Sequence, residues 1–197
     1  MPEFVVAMTG ASGAPYGIRL VDVLLRAGQT IHFTLSPAAS EVIHQETDRR
    51  VVLDRFDLAT LLGTDISRTD KLVYHHYLDF RAGIASGSYL TAGMVVCPCS
   101  MGTAAAIAHG HSENLIHRAA DVHLKERRRL ILVPRETPLN LIQLRNLTTC
   151  AEAGAVVLPA MPAFYTRPRT IDDQVDFIVG RVCDQLGVAH ELVRRWG

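Results

Sequence analysis

Arg118 and Lys125 stand seven residues apart in the segment ENLIHRAADVHLKERR. Seven residues make nearly two turns of a 3.6-residue helix, so both side chains leave one face, and two stacked cations invite an anion. Arg135 and Glu136 close the apolar run RLILVPRE, where a carboxylate beside a fixed cation can be tuned for proton transfer. Arg181 falls in the last helical segment, and Phe164 and Tyr165 follow the last apolar run. Each has an ordinary alternative. Lys125 can pair with Asp121 four residues back, Arg181 can pair with Asp184, and Glu136 can cap the next helix; exposed pairs of this kind contribute little. What favours Arg135 and Glu136 is their place at a strand end.

The stretch TGASGAPYG, Thr9 to Gly17, follows the apolar run FVVAM and leads into YGIRLVDVLLRAG. A strand that stops at glycines and turns into a helix aims backbone N–H groups and the positive end of the helix dipole at one point, a seat for phosphate. A dinucleotide fingerprint needs GxGxxG and an acidic residue after the second strand. Here Gly10, Gly13 and Gly17 are spaced GxxGxxxG, and the second apolar run ends in Ser36 and Pro37. That argues against NAD and leaves Ser12 and Ser36 facing a mononucleotide phosphate or a ring edge. The alternative is a glycine turn that only lets strand and helix approach closely. GASGA is not the GxSxG nucleophile elbow, which argues against a hydrolase.

His75, His76, His109 and His111 lack zinc spacing, so no metal is expected. Cys97 and Cys99 bracket a proline at a buried strand end, where small, soft packing is the commoner role for cysteine.

These residues need a scaffold, and the remaining pattern supplies one. Strands over Glu3 to Met8 and Thr30 to Ser36 alternate with helices over Tyr16 to Ala27 and Ala38 to Glu46. From Thr47 to Thr91 the pattern weakens, with a short helix near Asp57 to Leu62. It resumes as a strand (Gly93 to Ser100), a short helix, a helix over Glu113 to Arg128, the strand RLILVPRE, a helix ended by Gly154, the strand AVVLP and a helix closed by Gly187. Alternation with runs apolar on both faces predicts an α/β fold, a parallel sheet with helices on both faces. Ligands then sit beyond the carboxyl ends of the strands, at Thr9 to Gly13, Ser36, Cys97 to Thr103, Pro134 to Glu136 and Pro159 to Tyr165. The 197 residues make one domain, with 20 basic residues balancing 20 acidic ones, so no general affinity for nucleic acid or anionic membrane is implied. No apolar run reaches the ~20 residues of a membrane span, and the four cysteines form no obvious disulfide framework. A cytoplasmic protein is expected.

TGASGAPYGIRL, CPCSMGT, RAADVHLKERR, LVPRE and MPAFYTRP, in this order over nearly the whole chain, closely resemble the UbiX-type flavin prenyltransferases. The resemblance implies a Rossmann-like, flavodoxin-type fold and a dodecamer whose sites are shared between neighbouring subunits. It implies binding of reduced FMN as co-substrate and transfer of a dimethylallyl group to it from dimethylallyl phosphate. The prenylated FMN produced is the cofactor of UbiD-type decarboxylases. Carried over by position, the resemblance makes Gly10, Ala11, Ser12, Ser36, Ser100, Met101, Gly102, Thr103 and Arg135 the FMN contacts. It makes Arg118, Lys125, Tyr165 and Arg181 contacts to the prenyl phosphate, with Ser12, Glu46, Glu136 and Trp196 also in the active site. Pro15 inside the glycine loop and the chain end just beyond Trp196 depart from the pattern.

The chemistry is self-consistent. An allylic phosphate ionises when the departing anion is stabilised, and three cations with a tyrosine hydroxyl do that without magnesium. The cation left behind needs a water-poor pocket with π surface, which the flavin and Trp196 or Tyr165 offer. Glu136 is expected to assist the leaving group, and Ser12 with Glu46 to manage the ring proton. Two rivals share part of this reading. One is an FMN-dependent cysteinyl or phosphopantothenoylcysteine-type decarboxylase, whose PASANT-like loop and substrate clamp fit CPCSMGT and TPLNLIQLRN poorly. The other is a non-catalytic FMN carrier, for which Lys125, Glu136 and Arg181 would not be needed together.

Overall fold

A computed structural model describes residues 3–63 and 69–194. Its centre is a six-stranded, all-parallel sheet of β1 (Glu3–Met8), β2 (Thr30–Leu35), β3 (Leu72–Tyr74), β4 (Gly93–Cys99), β5 (Leu130–Pro134) and β6 (Val156–Val157), in the order β3-β2-β1-β4-β5-β6. This is the doubly wound order of Rossmann-like folds, and it reverses between β1 and β4, where such sheets open a crevice at their carboxyl edge.

The inner strands are apolar throughout because both of their faces are covered. On one face Phe4, Val6, Ile31, Phe33, Val95 and Ile131 meet α1 (Ala14–Arg26), α2 (Pro37–Thr47), α3 (Leu58–Leu62) and α7 (Ile171–Leu186). On the other, Val5, Ala7, Met94, Val96 and Leu132 meet α4 (Met101–Ala108), α5 (Leu115–Lys125) and α6 (Leu141–Glu152). Ala82 and Ile84, in an irregular segment that runs from residue 75 to 92, extend this second core. Leu20, Val21, Leu24 and Leu25 give α1 its buried stripe, and the Arg19 guanidinium joins α1 to α7 through Asp176, 2.7 Å from Nε to Oδ1.

Two glycines at and just after the first turn have distinct structural reasons. Gly13, the N-cap of α1, has φ of 116°, a conformation that disfavours any side chain. A Cβ on Gly17 would lie 2.4 Å from the Cys97 carbonyl oxygen, so only glycine lets α1 come this close to β4.

The differences from the sequence-based expectation are local. The third strand, LVY, lies in the stretch where the pattern weakens. It is a three-residue edge strand with Val73 exposed, too short to show periodicity. The expected strand AVVLP shrinks to two residues at the opposite edge. The helix expected over Glu113 to Arg128 is shorter at both ends. Asn114 caps it by accepting from the His117 N–H, and Arg127, with φ of 54°, has left the helical conformation.

Candidate active site

The carboxyl ends of β1 and β4 are tied together by Thr9. Its hydroxyl donates to the Pro98 carbonyl at 3.0 Å and accepts from the Ser100 N–H at 2.7 Å. This cross-link sets the glycine loop beside the first turn of α4. Two serines stand at the neighbouring helix starts. Ser36 is the N-cap of α2 and accepts from the Ala39 N–H; Ser100 is the N-cap of α4 and accepts from the Thr103 N–H. Between them opens a cleft of about 550 Å³ lined by Thr9, Gly10, Ser36, Ala38, Ser100, Gly102 and Thr103, and farther out by Ala105, Ala106, His109, His111, Glu113 and His117. Its volume falls within the range of small-molecule sites. The first-turn N–H groups of α4 have no carbonyl within their own helix to bond, so this wall suits an anion.

The start of α1, which the glycine loop alone suggests as the phosphate seat, is occupied from within the chain. Glu46, at the end of α2, accepts from the Gly13 N–H at 3.0 Å and from the Ala14 N–H at 2.8 Å. A carboxylate thus sits on the positive end of that dipole, and the serine-lined start of α4 remains for a ligand. Beside it, Arg135 Nε donates to the Ser12 carbonyl at 3.2 Å, which holds a guanidinium over the exposed Ser12. Glu136 is exposed and accepts from the Thr137 N–H at 3.0 Å, so its first role in the chain is local.

The cysteines are electrostatically inert. Complete burial pushes the Cys97 and Cys99 thiols far up, which leaves them protonated and unreactive. Burial also raises the Tyr16 hydroxyl, with Arg135 opposing. Among the described residues no group of three or more His, Cys, Asp or Glu is placed to hold a metal ion.

The chain therefore brings together Gly10, Ser36, Ser100, Gly102 and Thr103 along one cleft, and Ser12, Glu46 and Arg135 around the adjoining glycine loop. Ala11 and Met101 are buried beneath them. The expected phosphate contacts lie elsewhere. Arg118 donates to the Ala85 carbonyl at 3.0 Å and pairs with Asp121 at 2.6 Å, and Lys125 pairs with Glu126. Arg181 pairs with Asp184 at 2.8 Å, and the exposed Tyr165 meets Phe177 edge to face. Trp196 lies outside the described residues. Thr9 lies where the strand-end rule placed a ligand, whereas sequence reasoning missed Glu113 and His117, and weighed His109 and His111 only as metal ligands. Their common signal is position: all follow the short helix that begins at the cleft.

Residues 2–183 match the family model described as Flavoprotein. A flavin prenyltransferase UbiX from Halalkalibacterium halodurans is 47% identical over 98% of this chain and 93% of its own length. The chain belongs to the UbiX flavin prenyltransferase family. Among solved structures, a UbiX (PadA1) in complex with FMN and dimethylallyl pyrophosphate is 41% identical, with a TM-score of 0.88 over 100% of this chain and 97% of that one. A dodecameric FMN-dependent UbiX-like decarboxylase from Escherichia coli O157:H7 is also 41% identical, with a TM-score of 0.86 over 99% of each chain. A phosphopantothenoylcysteine (PPC) decarboxylase shares only the fold, at 15% identity and a TM-score of 0.62 over 85% of each chain. The UbiX family's activity, flavin prenyl transfer, therefore takes precedence over the decarboxylase and carrier readings.

Proposed function

We propose that this chain joins a dimethylallyl group from dimethylallyl phosphate to reduced FMN, and that the prenylated FMN is released to a UbiD-type decarboxylase. The observation that carries the reading is the serine- and glycine-lined cleft at the β1–β4 switch point with Arg135 at its edge. Its donors suit a flavin mononucleotide. Ser36, Ser100, Thr103 and the α4 N–H groups offer phosphate and ribityl contacts, and the His117 Nδ1, buried without a partner on the cleft wall, offers one polar group more. Gly10, Ala11, Ser12 and Met101 complete the expected FMN contacts. Bound there, reduced flavin supplies the nucleophilic ring that accepts the prenyl group.

The chain's own residues then have distinct tasks. Arg118, Lys125, Arg181 and the Tyr165 hydroxyl neutralise the departing phosphate, so ionisation needs no divalent ion. Because α5 holds Arg118 and Lys125 against the 75–92 segment, a neighbouring copy delivers some of these cations to each cleft. An assembly such as the dodecamer seen for the E. coli protein meets this need. Glu136 assists the phosphate's exit with a proton. Ser12 Oγ, next to the Glu46-capped turn, shuttles the flavin-ring proton with Glu46, and Trp196 excludes water. The whole chain acts as one flavoprotein domain, and its four free thiols suit the cytoplasm.

The test mixes protein, reduced FMN and dimethylallyl phosphate without oxygen and weighs the flavin. A mass gain of one dimethylallyl unit is expected, and an unchanged flavin mass overturns the transferase. Glu136→Gln should bind FMN normally and slow product formation by about 10²-fold or more, the scale of a lost general acid.

A further inference from the structure

Away from the cleft, four titratable side chains form one hydrogen-bonded chain beneath the 75–92 segment. Glu3 Oε2 lies 2.7 Å from the Tyr89 hydroxyl and 3.0 Å from His32 Nε2. The other nitrogen of His32, Nδ1, lies 2.9 Å from His75 Nε2, and the two rings stack with centroids 5.2 Å apart. An ionised carboxylate only accepts, so the Tyr89 hydroxyl and the His32 Nε2–H both donate to Glu3. His32 Nδ1 is then a bare lone pair and accepts from His75 Nε2–H. This arrangement satisfies every contact. Protonating Glu3 weakens the shared acceptor, and protonating both imidazoles sets two N–H groups face to face.

The chain joins β1, β2 and the end of β3 to a segment that in turn positions α5. The Ala85 carbonyl accepts from Arg118, the Gly87 and Tyr89 carbonyls accept from Arg128, and Gly87 lies against Lys125 and Glu126. We propose that Glu3, His32, His75 and Tyr89 form a clasp that positions Arg118 and Lys125 for the donor phosphate and loosens on acidification. The coupling rests on the phosphate role assigned above to those two cations.

The charges around the clasp agree with the direction. Burial, then His32, holds His75 below its ordinary range, with Asp79 opposing. The bonds from Tyr89 and His32 hold Glu3 below its own. From α5 and the turn after it, Arg118, Asp121, His123, Lys125 and Arg128 face the same segment, with His123 Nε2 2.9 Å from the Thr91 hydroxyl and itself held low by burial. A group depressed in the folded state contributes stability that is complete above its unfolded pKa and lost as pH falls through the folded one. The clasp is therefore fully closed above about pH 6.5, the unperturbed value for histidine, and weakens below it.

The test measures the KM for dimethylallyl phosphate between pH 7.5 and 5.5 on the assembled protein, with amide hydrogen exchange of residues 82–92 in parallel. The donor phosphate itself titrates near pH 6, so the readout is the ratio of variant to wild type. His75→Gln and Tyr89→Phe should raise KM at pH 7.5 by about fivefold, the scale of one lost hydrogen bond in the network. The kcat and FMN affinity should stay within about twofold, and the ratio should fall toward one at pH 5.5 as the wild-type clasp opens. The wild type should lose exchange protection in 82–92 on acidification, and His75→Gln should show none to lose. Protection independent of pH in the wild type, or KM ratios that stay constant with pH, overturn the clasp. Arg118→Ala with an unchanged donor KM overturns instead the phosphate role on which the coupling rests.

Discussion

Side chains at the glycine loop divide between holding the turn and facing a ligand, and the structure separates the two. Glu46 caps α1 through the Gly13 and Ala14 N–H groups, a charge-assisted cap of the kind that contributes about 1 kcal/mol. Gly102 is the contrasting case. A Cβ there meets nothing within 4 Å, yet the residue lines the cleft. Gly102→Val should therefore leave stability within about 1 kcal/mol of wild type. FMN affinity should fall by about tenfold or more as the added methyl groups enter the space the flavin needs. Thermal unfolding without ligand and flavin fluorescence titration check the two halves separately.

Helix placement depends on a few close approaches rather than on propensity. α1 lies against β4 because Gly17 allows it, and its contact with α7 is reinforced by the Arg19–Asp176 pair. Gly17→Ala puts a methyl group 2.4 Å from a backbone carbonyl that cannot move without shifting β4. An expected cost of about 1–3 kcal/mol follows, read as a lowered denaturation midpoint. Because β4 carries the Ser100 end of the cleft, FMN affinity should fall as well. A stable Gly17→Ala variant with normal flavin binding would refute this account of the loop.

At the scale of the whole molecule, one chain supplies the cleft and holds the expected phosphate contacts at a distance, each engaged with a local partner. Large apolar side chains are exposed at the start of α6, in Leu141 and Ile142, and after β6, in Met161, Phe164 and Ile171. Sites shared between copies make a prediction for mixed assemblies. Arg135→Ala and Arg118→Ala chains, each inactive alone, should recover about a quarter of wild-type activity when refolded together in equal amounts, because random association in a symmetric oligomer pairs intact halves that often. No recovery would show that one copy builds the whole site.

Much of this was legible in the residues. The runs FVVAM and RLILVPRE announce buried parallel strands because side chains covered on both faces must all be apolar, and Ser36-Pro37 announces a helix start because a hydroxyl cap and a first-turn proline both suit it. The long motifs pointed to the flavin prenyltransferases. Spacing could not show which helix dipole stays open to a ligand, since Glu46 lies 33 residues from the turn it caps. Nor could it reveal the three-residue edge strand or the Glu3–His32–His75–Tyr89 chain, whose members come from three separate stretches. Local sequence determines which elements form, because capping and periodicity act over a few residues. Only the tertiary structure decides which polar groups those elements leave facing one another, because hydrogen bonding depends on distances that folding alone sets.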